Sequence, residues 1–406
     1  MATETIENLT LTFLMDLIRI PSTRGNEGDA AKYVYQAFKP LVDQIELLPI
    51  DDSIMEDPHY AFPLPGFTYK DSFNVECVIR GKNPDKTVVF NAHLDVVPPN
   101  EGQIDPFKPK YENGIIFGRG ACDDKGPLAS LYALALFLKE ENIQPDCNLI
   151  FHFVVEEENG GNGTLAMVRR GVEADAAIVL EATDFVIYPA VRGAVWFTLE
   201  VYGRESHSGN TKNRISAIDK AVQAIQALKQ YHQKVLNESK GIPLFDIYED
   251  PMPLTIGQFN AGVWPASVPN KAVLKGLMGF LPNMNKKQIQ DGIRNSLVTH
   301  SDEWLRENFK LEFNMLNNDG YMIPTDAPVV QSLTSALKEL DLSAEITAMT
   351  ASCDAWFYNN LLNIPTVVFG PGSLIHAHAR DEQIKLDDVL MGAQILKIFI
   401  EHYSSH

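Results

Sequence analysis

Between residues 87 and 182, short apolar runs alternate with longer stretches in which apolar residues recur every three or four positions. That is the pattern of strands and helices wound around a parallel sheet. TVVFNA (87–92) reads as a buried strand. GPLASLYALALFLKEEN follows as a helix: Pro127 stands where a first-turn proline is tolerated, and Leu128, Leu131, Tyr132, Ala135 and Leu138 repeat at helical spacing. NLIFHFVVE (148–156) and AAIVLEA (176–182) are two further strands, with a helix between them, TLAMVRRG, that Gly171 closes. A fourth buried strand, PTVVFG, occupies 365–370.

The middle of the chain has another rhythm. AVWFTLEVYG (194–203) alternates as a half-buried strand does, a long helix runs from about 216 to 237, and strand-like runs return at 254–259 and 271–280. The expected fold is therefore α/β. A catalytic domain with a mostly parallel central sheet flanked by helices takes residues 1–188 and 314–406, and an inserted α+β lid takes 189–313. No repeat, low-complexity tract or Gly/Ser linker separates the two, so short crossings are expected.

The 406 residues are 45% hydrophobic, enough to bury two sizeable cores. Thirty-four Lys and Arg against 53 Asp and Glu give a formal charge of −19, the wrong sign for a protein that binds by neutralising phosphates, so no nucleic acid is expected. Cys77, Cys122, Cys147 and Cys353 form no C-x-x-C pair. Neither a disulfide framework nor a thiolate zinc site is suggested, and a reducing compartment fits. Glu4 and Glu7 stand where a secretory signal carries Lys or Arg, and the apolar run 128–138 is shorter than the roughly 20 residues a spanning helix needs. A cytoplasmic protein without a membrane partner is expected.

The chemistry stands at the carboxyl ends of the four strands. His93 and Asp95 follow the first, Glu156, Glu157 and Glu158 the second, Glu181 ends the third, and GPGSLIHAHARDE with His376 and His378 lies beyond the fourth. In an open α/β sheet, ligands bind outside these ends. A lone histidine there is ordinarily a satisfied polar residue, and a run of glutamates ordinarily a solvated turn. Together, carboxylates converging on one cleft would repel one another and protonate unless cations held them ionised. Imidazole mixed with carboxylate and no thiolate suits zinc, manganese or cobalt, whereas an all-oxygen set would point to calcium or magnesium. GRGACDDKG (118–126) brings Asp123 and Asp124 to a helix start beside His93, either as capping residues or as a carboxylate bridging two cations.

His93-Leu94-Asp95, GRGACDDKG, EEENGGNGT, Glu181 and HARDE, in this order over about residues 90–382, resemble the di-zinc amidohydrolase and peptidase family of acetylornithine deacetylase, succinyl-diaminopimelate desuccinylase and carboxypeptidase G-type enzymes. The resemblance implies two divalent metals per chain, zinc first, with cobalt or manganese as alternatives. It makes His93 a ligand oriented by Asp95, Asp123 the bridging ligand followed by a cis peptide bond to Asp124, and Glu157 the general base. Glu158 and His378 become ligands of the second metal and Glu181 of the first, whereas His376 lacks the motif's spacing. GRESHSG makes His207 a lid residue that completes the partner subunit's active site, so a homodimer through the lid is implied.

Two lid positions depart from the family's pattern: Ser267 stands where Asn is frequent and Gly279 where many relatives carry Arg. Arg192, Arg204, Lys212, Arg214 and Lys271 remain as candidates for a substrate carboxylate, and Asp354 is a candidate beside the substrate pocket. Cys122 and Cys353 lack His or Asn partners not already assigned, which argues against a cysteine nucleophile. His152 alternates within a strand and reads as packed. His402 and His406 belong to the carboxyl-terminal tail. The expected function is hydrolysis of an N-acyl amino acid or similar small N-acyl compound, with a dipeptidase or carboxypeptidase as the alternative. A non-catalytic metal-binding protein on the same fold would be expected to have lost Glu157 or a ligand, and each is present.

Overall fold

The computed structural model describes residues 2–209 and 212–404; His406 lies outside the described residues. The larger sheet runs in the order Gln44–Pro49, Phe73–Ile79, Cys147–Val154, Asn83–His93, Ala176–Val179, Thr366–Val368, Ile187–Val191 and Tyr321–Met322, with Ile346–Met349 also paired to Ile187–Val191. Its middle is formed by the four strands read from the sequence, all parallel to one another. Their registers place His93 opposite Val154, Asn91 opposite Val179, and Val179 opposite Val368. All four therefore leave the sheet at one edge. The flanking pairs on either side are antiparallel.

Helix Lys125–Glu140 crosses back from that edge and is buried on nearly every side. It packs between Ala2–Arg19 and Leu386–Tyr403, which explains why its apolar residues exceed a single stripe. Asp124 precedes it at the capping position but makes no side-chain cap. Its Oδ2 instead accepts the His93 backbone N–H at 3.0 Å, tying the helix start to the strand end.

The smaller sheet is antiparallel, in the order Leu254–Ala261, Lys271–Phe280, Gly193–Tyr202, Phe309–Glu312, and Asn317–Asn318 also pairs with Gly193–Tyr202. Helices Ala217–Glu238 and Lys286–Thr299 cover one of its faces, where Phe197, Leu199, Leu274 and Met278 join Ala221, Ala224 and Leu228 in a second core. Ser216 caps the first helix by accepting the Asp219 N–H, and Asn285 with Gln288 forms a capping box on the second. The alternation read at 194–203 is thus a helix-covered face against an open one.

The chain passes between the sheets at Arg192, and returns between Asn318 and Tyr321. The segment before the strand Phe73–Ile79 also reaches across. Phe62 meets Trp196 edge-on with ring centroids 5.4 Å apart, and Lys286 Nζ donates to His59 Nδ1 at 3.1 Å. Among the described residues no helix is long and apolar enough to cross a membrane.

Candidate metal centre

His93, at the last position of its strand and 2% exposed, is fixed at both ring nitrogens. Nδ1 lies 3.0 Å from the Asp95 carbonyl oxygen and 3.5 Å from the Asp95 carboxylate. With Nδ1 turned to Asp95, Nε2 is the ring nitrogen that faces Asp123 Oδ1, at 2.9 Å. The other Asp123 oxygen lies 3.2 Å from His378 Nε2, which is also 2.9 Å from Glu158 Oε1. One carboxylate therefore stands between two imidazoles, each facing a different oxygen. His93, Asp123 and Glu158 offer ligand atoms within 4.8 Å of one another. The Asp123–Asp124 peptide bond is cis, as the resemblance implies.

Asp95 does more than face His93. Its two carboxylate oxygens each accept a backbone N–H at 3.1 Å, from Glu157 and from Glu158, so it sets the glutamate turn in place. The three glutamates then diverge. Glu158 meets His378, and Glu157 lies outside the three-residue ligand group, in the field of Glu181 and Asp354 as well as of His93 and Glu158. Glu156, at φ 59°, turns back into the protein, where Arg24 Nε donates to it at 2.5 Å, Asn162 at 2.9 Å, and the Tyr69 hydroxyl also donates. The run is not a solvated turn, since Glu156 is 1% exposed.

Asp123 is held from behind. Glu382 Oε1 accepts the N–H groups of Cys122 and Asp123, both at 3.1 Å, and Oε2 takes Arg119 Nη1 at 2.5 Å in a buried ion pair. Glu382 is the last residue of the HARDE block, which was the signal available for it. Lys125 is fully buried and donates to the carbonyl oxygens of Leu17 and Ile20, joining the first helix to the site loop. The sequence offered no sign of that role.

Burial would push the Asp123 carboxyl up, but hydrogen bonds from His378 and His93 hold it well below the usual range. Burial alone would lower His93, yet Asp123 and Asp95 raise it, and hydrogen bonds to Asp123 and Glu158 bring His378 up to about 10. Glu157 and Glu181 are pushed up by loss of water and by neighbouring carboxylates. The site is thus a pocket of excess negative charge that favours any positive charge brought into it.

The remaining candidates are more scattered. Asp354 is buried, accepts the Thr164 hydroxyl at 2.6 Å, and is pushed by burial to about 7. Thr164 and Tyr358 both receive Asn91, and the Tyr358 hydroxyl meets His152 Nδ1 at 2.7 Å, so His152 is packed in a polar network under the sheet edge. Arg192 is 7% exposed and donates to the carbonyls of Thr350 at 2.5 Å and Gly193 at 3.2 Å, at the crossing between the sheets. A side chain at Gly279 would press on the Met252 backbone at 3.0 Å and on Arg192 Cδ at 3.3 Å. Lys271 pairs with Glu200, and Arg204 lies over the Trp304 ring. His207 is exposed on the lid, opposite Ser267 in a short ladder. It lines a cavity of about 740 Å³ that includes none of the metal-cluster residues.

Imidazoles and carboxylates gathered at the carboxyl edge of a parallel sheet, with a further buried acid beside them, are the apparatus of a metal-dependent hydrolase. Residues 89–402 match the model of peptidase family M20/M25/M40, and the chain belongs to that family. It is 28% identical over 349 residues to N-formyl-4-amino-5-aminomethyl-2-methylpyrimidine deformylase of Bacillus subtilis, covering 79% of this chain and 80% of that one. It is 23% identical over 419 residues to a probable succinyl-diaminopimelate desuccinylase of Staphylococcus epidermidis, covering 97% of each. Among solved structures, a tripeptidase from Staphylococcus aureus superposes with a TM-score of 0.77 at 19% identity, over 98% of this chain and 99% of the other.

Proposed function

We propose that the protein hydrolyses the amide bond of N-acyl amino acids or similar small N-acyl compounds, using two divalent metal ions, zinc first and cobalt or manganese as alternatives. The observation that carries this reading is Asp123 set between His93 and His378, with Glu157 buried beside them and outside the ligand group. The donor set would suit a pair of cations: His93 and Glu181 would hold one, Glu158 and His378 the other, and Asp123 would serve both. When bound, the cations supply Lewis acidity and bring the pKa of water toward about 7.

The chain's own groups do the rest. Glu157 accepts a proton from the attacking water and returns it to the leaving amine; burial and the charges of Glu181 and Asp354 raise its affinity for that proton. Asp95 holds the His93 tautomer and the backbone of Glu157 together, so base and ligand keep one spacing. The oxyanion that forms at the acyl carbon needs a donor. We assign it to His207 of a second subunit, the lid (189–313) serving as both cover and dimer contact for the catalytic part (1–188 and 314–406). The edge strand Leu254–Ala261, paired on one side only, and Trp264, 68% exposed, support such a contact. Arg192 and Asp354 are assigned to the substrate side of the pocket.

The test separates metal from chemistry. Glu157→Ala is expected to keep both metals and lose at least about a hundredfold in kcat, whereas Glu158→Ala and His378→Ala lose chiefly one metal. An active Glu157→Ala enzyme beside a fully loaded Glu158→Ala enzyme would refute these roles. Hydrolysis of formyl-, acetyl- and succinyl-amino acids, compared with dipeptides in the presence of zinc, cobalt or manganese, identifies the substrate. Turnover of dipeptides alone favours the peptidase alternative.

A further inference from the structure

Behind the glutamate turn lies a second cleft that shares no residue with the metal cluster. Its floor is the open face of the lid sheet. There Trp196 stands opposite Leu277, and Thr198 opposite Lys275, so all four side chains share the face away from the helices. Its wall is the segment carrying Phe62 and Leu64, pinned across the sheet by the Phe62–Trp196 ring contact. The two sites approach each other at this turn: Glu158 meets His378 of the cluster, while Glu156 is bound to Arg24, which lines the cleft, and the Cβ position of Gly160 abuts Ala61 and Phe62.

Three properties suit the cleft to a small organic ligand. Its volume, about 550 Å³, is that of a typical small-molecule site. Its lining combines two aromatic rings with aliphatic groups, a surface for a flat apolar body. Its charge has one sign: the described lining residues include Arg24 and Lys275 and no carboxylate, in a chain where acids outnumber bases 53 to 34. Arg24 is neutralised, donating to Glu156 at 2.5 Å and to the Phe62 carbonyl at 2.9 Å. Lys275 is exposed and forms no ion pair among the described residues, so it is the cation left for a ligand.

We propose that this cleft is a second ligand site, distinct from the metal centre, which takes an amphipathic organic anion: a carboxylate on Lys275 and an aromatic body between Trp196, Leu277 and Phe62. The inference does not depend on the metal reading, and its test is made both with and without metals. Isothermal titration of the full chain with indole-3-propionate is expected to give one molecule per chain, unchanged after the metals are stripped with chelator. Lys275→Glu should weaken binding by about tenfold or more, since a charge-assisted contact is lost. Lys275→Arg should restore it, and the uncharged probe indole-3-propionamide should bind the parent as weakly as indole-3-propionate binds the Glu variant. Lys275 lies outside the catalytic machinery, so hydrolysis by Lys275→Glu should match the parent and report that the variant is folded. Binding that disappears with the metals, binding that ignores Lys275→Glu, or no saturable binding at all would each overturn the proposal.

Discussion

Glu27 is 1% exposed, and neither of its carboxyl oxygens finds a partner in the protein. Burial, together with the nearby charges of Asp95 and Glu156, pushes its pKa up to about 8. Between the unfolded value near 4.5 and the folded value near 8, the folded chain holds a proton that the unfolded chain has released. This group's contribution to stability therefore falls as pH rises through that window. Glu27→Gln keeps the shape and removes the titration. In urea unfolding it should be more stable than the parent at pH 8.5, by an amount on the order of a few kcal/mol, with the gap closing toward pH 5. A gap that does not change with pH would show that Glu27 is not the titrating group. Glu382 presents the opposite case, a buried acid fully used by Arg119 and two backbone donors. Glu382→Ala strands a guanidinium that is 1% exposed and should cost about 3–5 kcal/mol. It should also weaken metal binding, measurable by titration, because the backbone at Asp123 loses its anchor.

At the scale of elements, the parts most legible in the sequence were those buried on both faces. The four parallel strands are apolar runs, and they carry the residues proposed for the site off one edge. Gln44–Pro49, a six-residue edge strand, and Phe73–Ile79, which pairs on both sides, were not read, nor were the helices Lys286–Thr299 and Leu386–Tyr403. In the site, placement at strand ends marked His93, Glu158 and His378, and the family resemblance supplied the roles proposed for them and for Asp123. Neither could expose the different fate of Glu156, which a positive φ and the donors Arg24, Tyr69 and Asn162 fix. The turn that separates the three glutamates ends at Gly161, at φ 75°, just before helix Asn162–Arg169. A Cβ there would lie 2.2 Å from Asp354 Oδ1 and 2.3 Å from Phe357. Gly161→Ala must strain the backbone and displace a buried acid, at a cost of about 1–3 kcal/mol. Activity should fall further than stability, because the displaced turn carries Glu157. Equal kcat in the variant, under conditions where it is folded, would mean that the turn tolerates movement.

At the scale of the whole molecule, the position of His207 poses the sharpest question. It is exposed on the lid, and its cavity contains none of the metal-cluster residues, so a role in catalysis calls for a second chain. Subunit mixing tests this without any assumption about the substrate. Glu157→Ala lacks the base and His207→Gln lacks the lid donor, so each homodimer is expected to be nearly inactive. A heterodimer of the two has one site that joins Glu157 of the His207→Gln chain to His207 of the other. Its second site lacks both. Random reassortment makes half of the dimers mixed, with one working site in two, so activity should recover to about a quarter of the parent's per site. The variants are unfolded or dissociated together, mixed in equal amounts, reassembled and assayed against each homodimer treated alone. Recovery establishes that the sites are completed in trans. If both parents are dead and the mixture is also dead, although mass measurement shows heterodimers, His207 acts within its own chain or not at all. A chain that remains monomeric at micromolar concentration while turning over substrate would remove the lid contact from the mechanism as well.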